Sequence, residues 1–272
     1  MSDSVGTRAW ALSGGSLRMR DRVQLVSQAL LARLSLMPRR LRARLGLDES
    51  AASRIDPSTI RFPDSVAARR AGDLAESLSA PWLFNHCQRT YVWGAMLAQT
   101  ERMEFDEEFL FVASALHDVG LIGKHNGKKP DCVCFAVEGA RTAEKFSADI
   151  GWADERSQRL CEAISLHLNV RVGLRHGPEA HLLHAGAALD AIGARSKELH
   201  PTTIDSVLTQ YPRLTFNQEM RAAMNAQARE RPNSRAAFLV GLGIERMIRA
   251  APLDDRRTST KSLRVVDADH GD

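Results

Sequence analysis

FLFVASALHDVGL, residues 109–121, is apolar almost throughout, yet it ends on an imidazole and a carboxylate side by side, His117 and Asp118. Phe109, Val112, Ala113 and Leu116 recur at three- and four-residue steps, which places them on one face of a helix that must be buried. Asp106 or a neighbour supplies the start signal and Gly120 the stop. Adjacent helical residues stand about 100° apart around the axis, so a pair at the helix end can still converge on something just beyond it. Two polar groups at the end of an oily helix therefore ask for partners from elsewhere in the chain.

The surrounding sequence reads as all-α. Further helices are expected at about 82–99, 134–149, 154–168, 178–193, 202–210, 216–229 and 234–250, each bounded by Gly, Pro or Asn. Aromatic residues are scarce at 6%, while Ala, Leu and Arg are plentiful, which favours helix over strand. The 272 residues suffice for one large domain with its own core. Residues 1–20 read as a flexible lead, 21–63 as an N-terminal helix and linker, 64–252 as the helical bundle and 253–272 as a disordered tail. In the N-terminal helix, Val23, Val26, Leu30, Leu34, Met37, Leu41 and Leu45 form one stripe, and packing of that stripe on the domain is expected over a place on an anionic membrane surface.

Composition excludes several classes. The net charge of +4 comes from 37 basic residues set against 33 acidic ones, without the clustered, aromatic-interleaved cations of a nucleic-acid face, so no nucleic-acid partner is expected. Cys87, Cys132, Cys134 and Cys161 form no CxxC pair, which leaves neither a zinc knuckle nor a thioredoxin-like motif. No stretch reads as a signal peptide or membrane span; a cytoplasmic location without membrane association is expected. A homo-oligomer is compatible with the sequence.

Two other segments carry candidates for partnership with His117 and Asp118. His86 lies in WLFNHCQRTYVWG on a helix with an apolar side, and Asp190 lies in HLLHAGAALDAIG, among leucines and alanines. A carboxylate buried there is costly unless a positive charge meets it, and no Lys or Arg of its own helix lies a turn away. A cation from outside that helix is the expected partner. Two imidazoles and two carboxylates suit one divalent transition metal, zinc, iron or manganese, with room for an activated water. Taken singly, each residue has a plain structural alternative: a helix-end pair for His117 and Asp118, a satisfied core histidine for His86, a cap for Asp190.

His86, the tandem His117-Asp118 and the later Asp190 together resemble the metal-binding signature of the HD-domain superfamily, an all-helical fold. The resemblance spans roughly residues 64–195. The runs FNHCQRTYVWG, ALHDVGL, FAVEGARTAEKF, AISLHLNV and GPEAHLLHAGAALDAIG look like its cyanamide hydratase-like branch. That likeness implies His86, His117, Asp118 and Asp190 as ligands, with Glu138 and His167 matching further positions of the branch. The branch's Phe-Glu-x-Asp-Gly-Ala appears here as Phe135-Ala136-Val137-Glu138-Gly139-Ala140, so its first acid is missing and its second is one methylene longer. His167, Glu138 and Lys124 are the candidate catalytic groups, and Phe84, Asn85 and His184 the candidate contacts to a small-molecule substrate. Arg89 is read as a brace for Glu138.

Four functions compete. The leading one is a hydrolase or hydratase in which activated water attacks a nitrile-, cyanamide- or amide-like carbon. The second keeps that fold but expects hydrolysis of a nucleotide or other phosphoester, for which Lys124, Lys128, Lys129 and Arg171 are the scattered cationic candidates. A diiron oxygenase would need a second metal from among His125, His167, His181 and His184, and the spacing favours one ion. A sensor or interaction protein without turnover is the alternative of another class.

Overall fold

A computed structural model describes residues 4–44, 52–121 and 134–254. Among these residues every regular element is helical, apart from one isolated bridge between Ser53 and Leu199. The helices are α1 (Arg8–Leu12), α2 (Met19–Arg44), α3 (Val66–Leu78), α4 (Pro81–Glu101), α5 (Glu107–Leu116), α6 (Phe135–Asp149), α7 (Asp154–Leu166), α8 (Pro178–Ile192), α9 (Pro201–Gln210), α10 (Phe216–Glu230), α11 (Arg235–Gly241) and α12 (Ile244–Arg249). The expected all-α class is what the chain adopts.

Local chemistry sets most boundaries. Asp106 Oδ1 accepts from the Phe109 N–H and starts α5, and Ser65 does the same for Ala68 at the head of α3. Prolines open α4, α8 and α9, where the missing N–H costs nothing. Gly193, at φ +69°, closes α8 with its N–H on Leu189 O. The expected single helix over 234–250 is instead α11 and α12, because Gly243 at φ +86° turns the chain between them.

The centre of the bundle is the crossing of α4 and α8. Gly186 brings the backbones so close that a Cβ there would sit 2.2 Å from Thr90 O. α5 runs beside this pair and buries Phe109, Leu110, Val112, Ala113 and Leu116. The turn after α5 then seats on the start of α6, where a Cβ on Gly120 would meet Phe135 O at 2.3 Å and one on Gly139 would meet His117 O at 2.7 Å. Two unsubstituted backbones thus press His117 and Asp118 into the interior.

Three N-terminal expectations change. From Ser4 the supposed lead is anchored: Val5, Trp10 and Leu17 are buried, Asn169 Nδ2 donates to Val5 O at 2.7 Å, and the Arg235 guanidinium lies 4.7 Å from the Trp10 ring centroid. The supposed linker packs too, since Ile55, Ile60 and Phe62 lie against the core and Tyr91 Oη donates to Arg61 O. The described part of the α2 stripe does not pack on the domain, with Val23 61%, Val26 41%, Leu30 55% and Leu34 58% exposed. Leu25, on another side of the helix, is the residue that enters the core. No described helix is long and apolar enough to cross a membrane. Residues 255–272 of the expected tail, and Lys124, His125, Lys128, Lys129 and Cys132, lie outside the described residues.

Candidate metal centre

α4 presents His86, Arg89 and Trp93 at steps of three and four residues, hence on one face. That face meets Asp190 of α8. His117 and Asp118 arrive from the end of α5, and His167 from the end of α7. All of these side chains are buried.

His86 Nε2 lies 3.3 Å from His117 Nε2, and the two lie 3.5 and 3.4 Å from Asp118 Oδ2. Ligand distances of about 2.0–2.1 Å in a tetrahedral zinc site separate neighbouring donor atoms by about 3.3–3.4 Å, so the observed triangle has the dimensions of one tetrahedral face. Among the described residues, His86, His117 and Asp118 are the group whose ligand atoms gather closely enough to hold an ion.

The proton positions sharpen the fit. His117 Nδ1 faces Ser114 O at 2.8 Å, His167 Nδ1 faces Ile164 O at 2.6 Å and His86 Nδ1 faces Asp190 Oδ2 at 2.7 Å. Carbonyl and carboxylate oxygens only accept, so each Nδ1 carries a hydrogen, and a ring in its neutral form keeps its lone pair on Nε2. The three Nε2 atoms gather about Asp118, with His167 Nε2 3.2 Å from its Oδ1. Acceptors crowded together in a dry interior are stable only when a cation joins them. The residues present therefore fit a divalent metal.

Burial drives the His117 imidazole down to about 3, which keeps it neutral across the physiological range. Asp118 is also desolvated, but His117, His167 and His86 outweigh burial and hold its carboxyl well below the ordinary range. For His86 burial opposes protonation while Asp118 and Asp190 favour it, and the pair of carboxylates prevails to raise it. Burial, reinforced by Asp118, pushes the Cys87 thiol well up, so the sulfur beside the site stays a thiol.

Asp190 does find the cation its burial demands, from α4. Arg89 Nε and Nη2 bind its two oxygens at 2.7 and 2.8 Å, Trp93 Nε1 donates to Oδ1 at 2.9 Å, and Arg213 Nη1 lies 3.4 Å from Oδ1. Burial would raise its carboxyl, but Arg89 and Arg213 lower it well below the usual value. The expected brace between Arg89 and Glu138 is not formed; buried Glu138 pairs with Arg231 at 3.1 Å. His184 stands behind the site, with Nδ1 2.9 Å from His167 O and burial pushing it down to about 4. Asn85 donates to Pro212 O, Phe84 packs half-buried on the main core, and His181 faces Val172 O.

Sequence reasoning placed Arg89 beside this centre but with Glu138 in place of Asp190 as its partner, and it missed Trp93, Arg213 and Arg231. A signal existed for Trp93, since it shares the face of His86 and Arg89 on α4. None marked Arg213 or Arg231, which enter from near the start and end of α10.

The family model for the HD domain matches residues 83–240. A search of the curated proteins finds no match.

Proposed function

We propose, from the premise that this chain belongs to the HD domain family, whose members are generally metal-dependent hydrolases, that it is a metal-dependent hydrolase or hydratase acting on a small, uncharged electrophile of the nitrile, cyanamide or amide type. The observation that carries the reading is the meeting of the Nε2 atoms of His86, His117 and His167 around Asp118 in a buried site, each ring having its Nδ1 engaged by an acceptor on its far side. His86, His117 and Asp118 would hold the ion, zinc, iron or manganese. What a divalent ion supplies in such a place is Lewis acidity and water that gives up its proton near neutral pH.

The chain's own groups supply the rest. His167 presents Nε2 beside Asp118 and is the group placed to take a proton there, with the ring oriented by Ile164 O. His184, hydrogen-bonded to His167 O, fixes the end of α7 on which that ring stands. Glu138, tied to Arg231, holds the start of α6 against the turn that carries His117.

Charge supports a small neutral substrate over a phosphoester. The described arginines at the centre are already matched by acids: Arg89 with Asp190, Arg213 with Asp254 and Asp190, Arg231 with Glu138. A phosphoester wants cations that can turn to its oxygens, and Arg171 is exposed. The test is a panel of cyanamide, nitriles, small amides and nucleotide phosphoesters with metal-free protein reloaded with zinc, iron(II) or manganese. Turnover of the uncharged compounds, lost in His117→Ala, is expected. Turnover of phosphoesters alone would overturn the substrate class, and no turnover by fully loaded protein would favour a sensor.

A further inference from the structure

Asp190 is fully engaged before any ion arrives. Oδ1 faces Arg89 Nε at 2.7 Å, Trp93 Nε1 at 2.9 Å and Arg213 Nη1 at 3.4 Å, and Oδ2 faces Arg89 Nη2 at 2.8 Å and His86 Nδ1 at 2.7 Å. An ionised carboxylate offers about four lone-pair directions, and these donors occupy them.

Its side of the imidazole matters as much. Asp190 is bound to His86 Nδ1, whereas His117 Nε2 and Asp118 gather about His86 Nε2. The lone pairs of the two ring nitrogens diverge, so an ion about 2.1 Å from Nε2 lies across the ring, beyond bonding reach of an oxygen on Nδ1. For Asp190 to become a ligand, it would have to let go of His86 and break a two-pronged contact with Arg89, leaving that buried guanidinium unmatched.

We infer that Asp190 is a positioning residue and not a metal ligand: clamped by Arg89, Trp93 and Arg213, it holds His86 by Nδ1 so that Nε2 is aimed at the centre. This rests on the proposal that the centre binds a metal, and it departs from the ligand set that the sequence resemblance implies. A carboxylate behind a ligating histidine fixes the ring's tautomer and makes its free nitrogen a stronger donor. The centre then has three protein ligands, His86, His117 and Asp118, which leaves coordination positions open for water and substrate, as catalytic sites require.

The direct test is a crystal structure of the zinc-loaded wild-type protein with anomalous scattering data. The expected map places one ion on His86 Nε2, His117 Nε2 and Asp118, with Asp190 still on His86 Nδ1. An ion bonded to an Asp190 oxygen overturns the inference and leaves the metal reading intact, whereas an empty centre overturns both. In solution, Asp190→Asn should keep one zinc per chain and the visible spectrum of the cobalt(II) form, with affinity weakened by about 10–100-fold. A changed cobalt spectrum would mean that a ligand was removed, and unchanged zinc affinity would mean that the carboxylate only packs.

Discussion

Arg89 shows how one residue's partner decides the meaning of another. Asp190 is legible in the sequence as a buried acid that needs a cation, because its helix is built of Ala, Leu and Gly. The identity of that cation is not legible, since it stands on α4, about a hundred residues earlier, and a helical count sees only its own helix. Arg89→Met takes from Asp190 its two-pronged partner, leaving only the more distant Arg213 as a counter-charge, and is expected to cost about 3–5 kcal/mol in urea unfolding. The double variant Arg89→Met/Asp190→Leu should recover part of that loss, because no buried charge is then left alone. His167 acts at the chemical end: His167→Ala is expected to lower kcat by about 10²–10⁴-fold while zinc affinity in calorimetry stays within a few-fold. A collapse of zinc binding in that variant would instead make His167 a ligand.

Helices follow the sequence where the chain punctuates them itself. α5 and α8 begin within a residue or so of the expected places because Asp106 and Pro178 fix the first turn; α6 and α7 begin there as well, without a side-chain cap. The exposed stripe of α2 was not legible, because periodicity says that a face is apolar but not what covers it. The crossing of α4 and α8 carries a sharper expectation. Gly186→Ala drives a methyl against Thr90 O, which belongs to a helix backbone and cannot turn aside; a loss of about 1–3 kcal/mol is expected, with weaker zinc binding as His86 and Asp190 separate. Gly241→Ala, at a position with nothing within 4 Å, is the control that should leave both unchanged.

Over the whole molecule, the N-terminal segment and the bundle share one interior. Trp10 is buried under Arg235, which also donates to Ser165 O and Asn169 Oδ1 beside His167. Trp10→Ala is expected to cost about 3–5 kcal/mol, read from the urea midpoint, although it lies far outside the HD match at residues 83–240. Acid should dismantle the metal-free protein for a reason that the centre supplies. His117 and His184 titrate near 3 and 4 in the fold, against an ordinary 6.5, so the unfolded chain binds more protons in between and stability falls as pH drops below about 6.5. Asp118 and Asp190, held below 3.8, extend the loss further down. His86, which is raised, opposes this with a contribution that is present at low pH and lost as pH rises through its folded value. The urea midpoint should therefore decline from pH 6.5 to 4, and a flat profile would contradict the neutral imidazoles.

The most direct measurement is zinc titration by calorimetry of metal-free wild-type protein beside His117→Ala, with folding of both checked by circular dichroism. Wild type should take up one ion per chain and release protons as His86 and its neighbours engage, and His117→Ala should lose that site. A folded wild type that takes up no zinc, iron(II) or manganese, or a variant that binds as tightly as wild type, would contradict a metal centre at His86, His117 and Asp118.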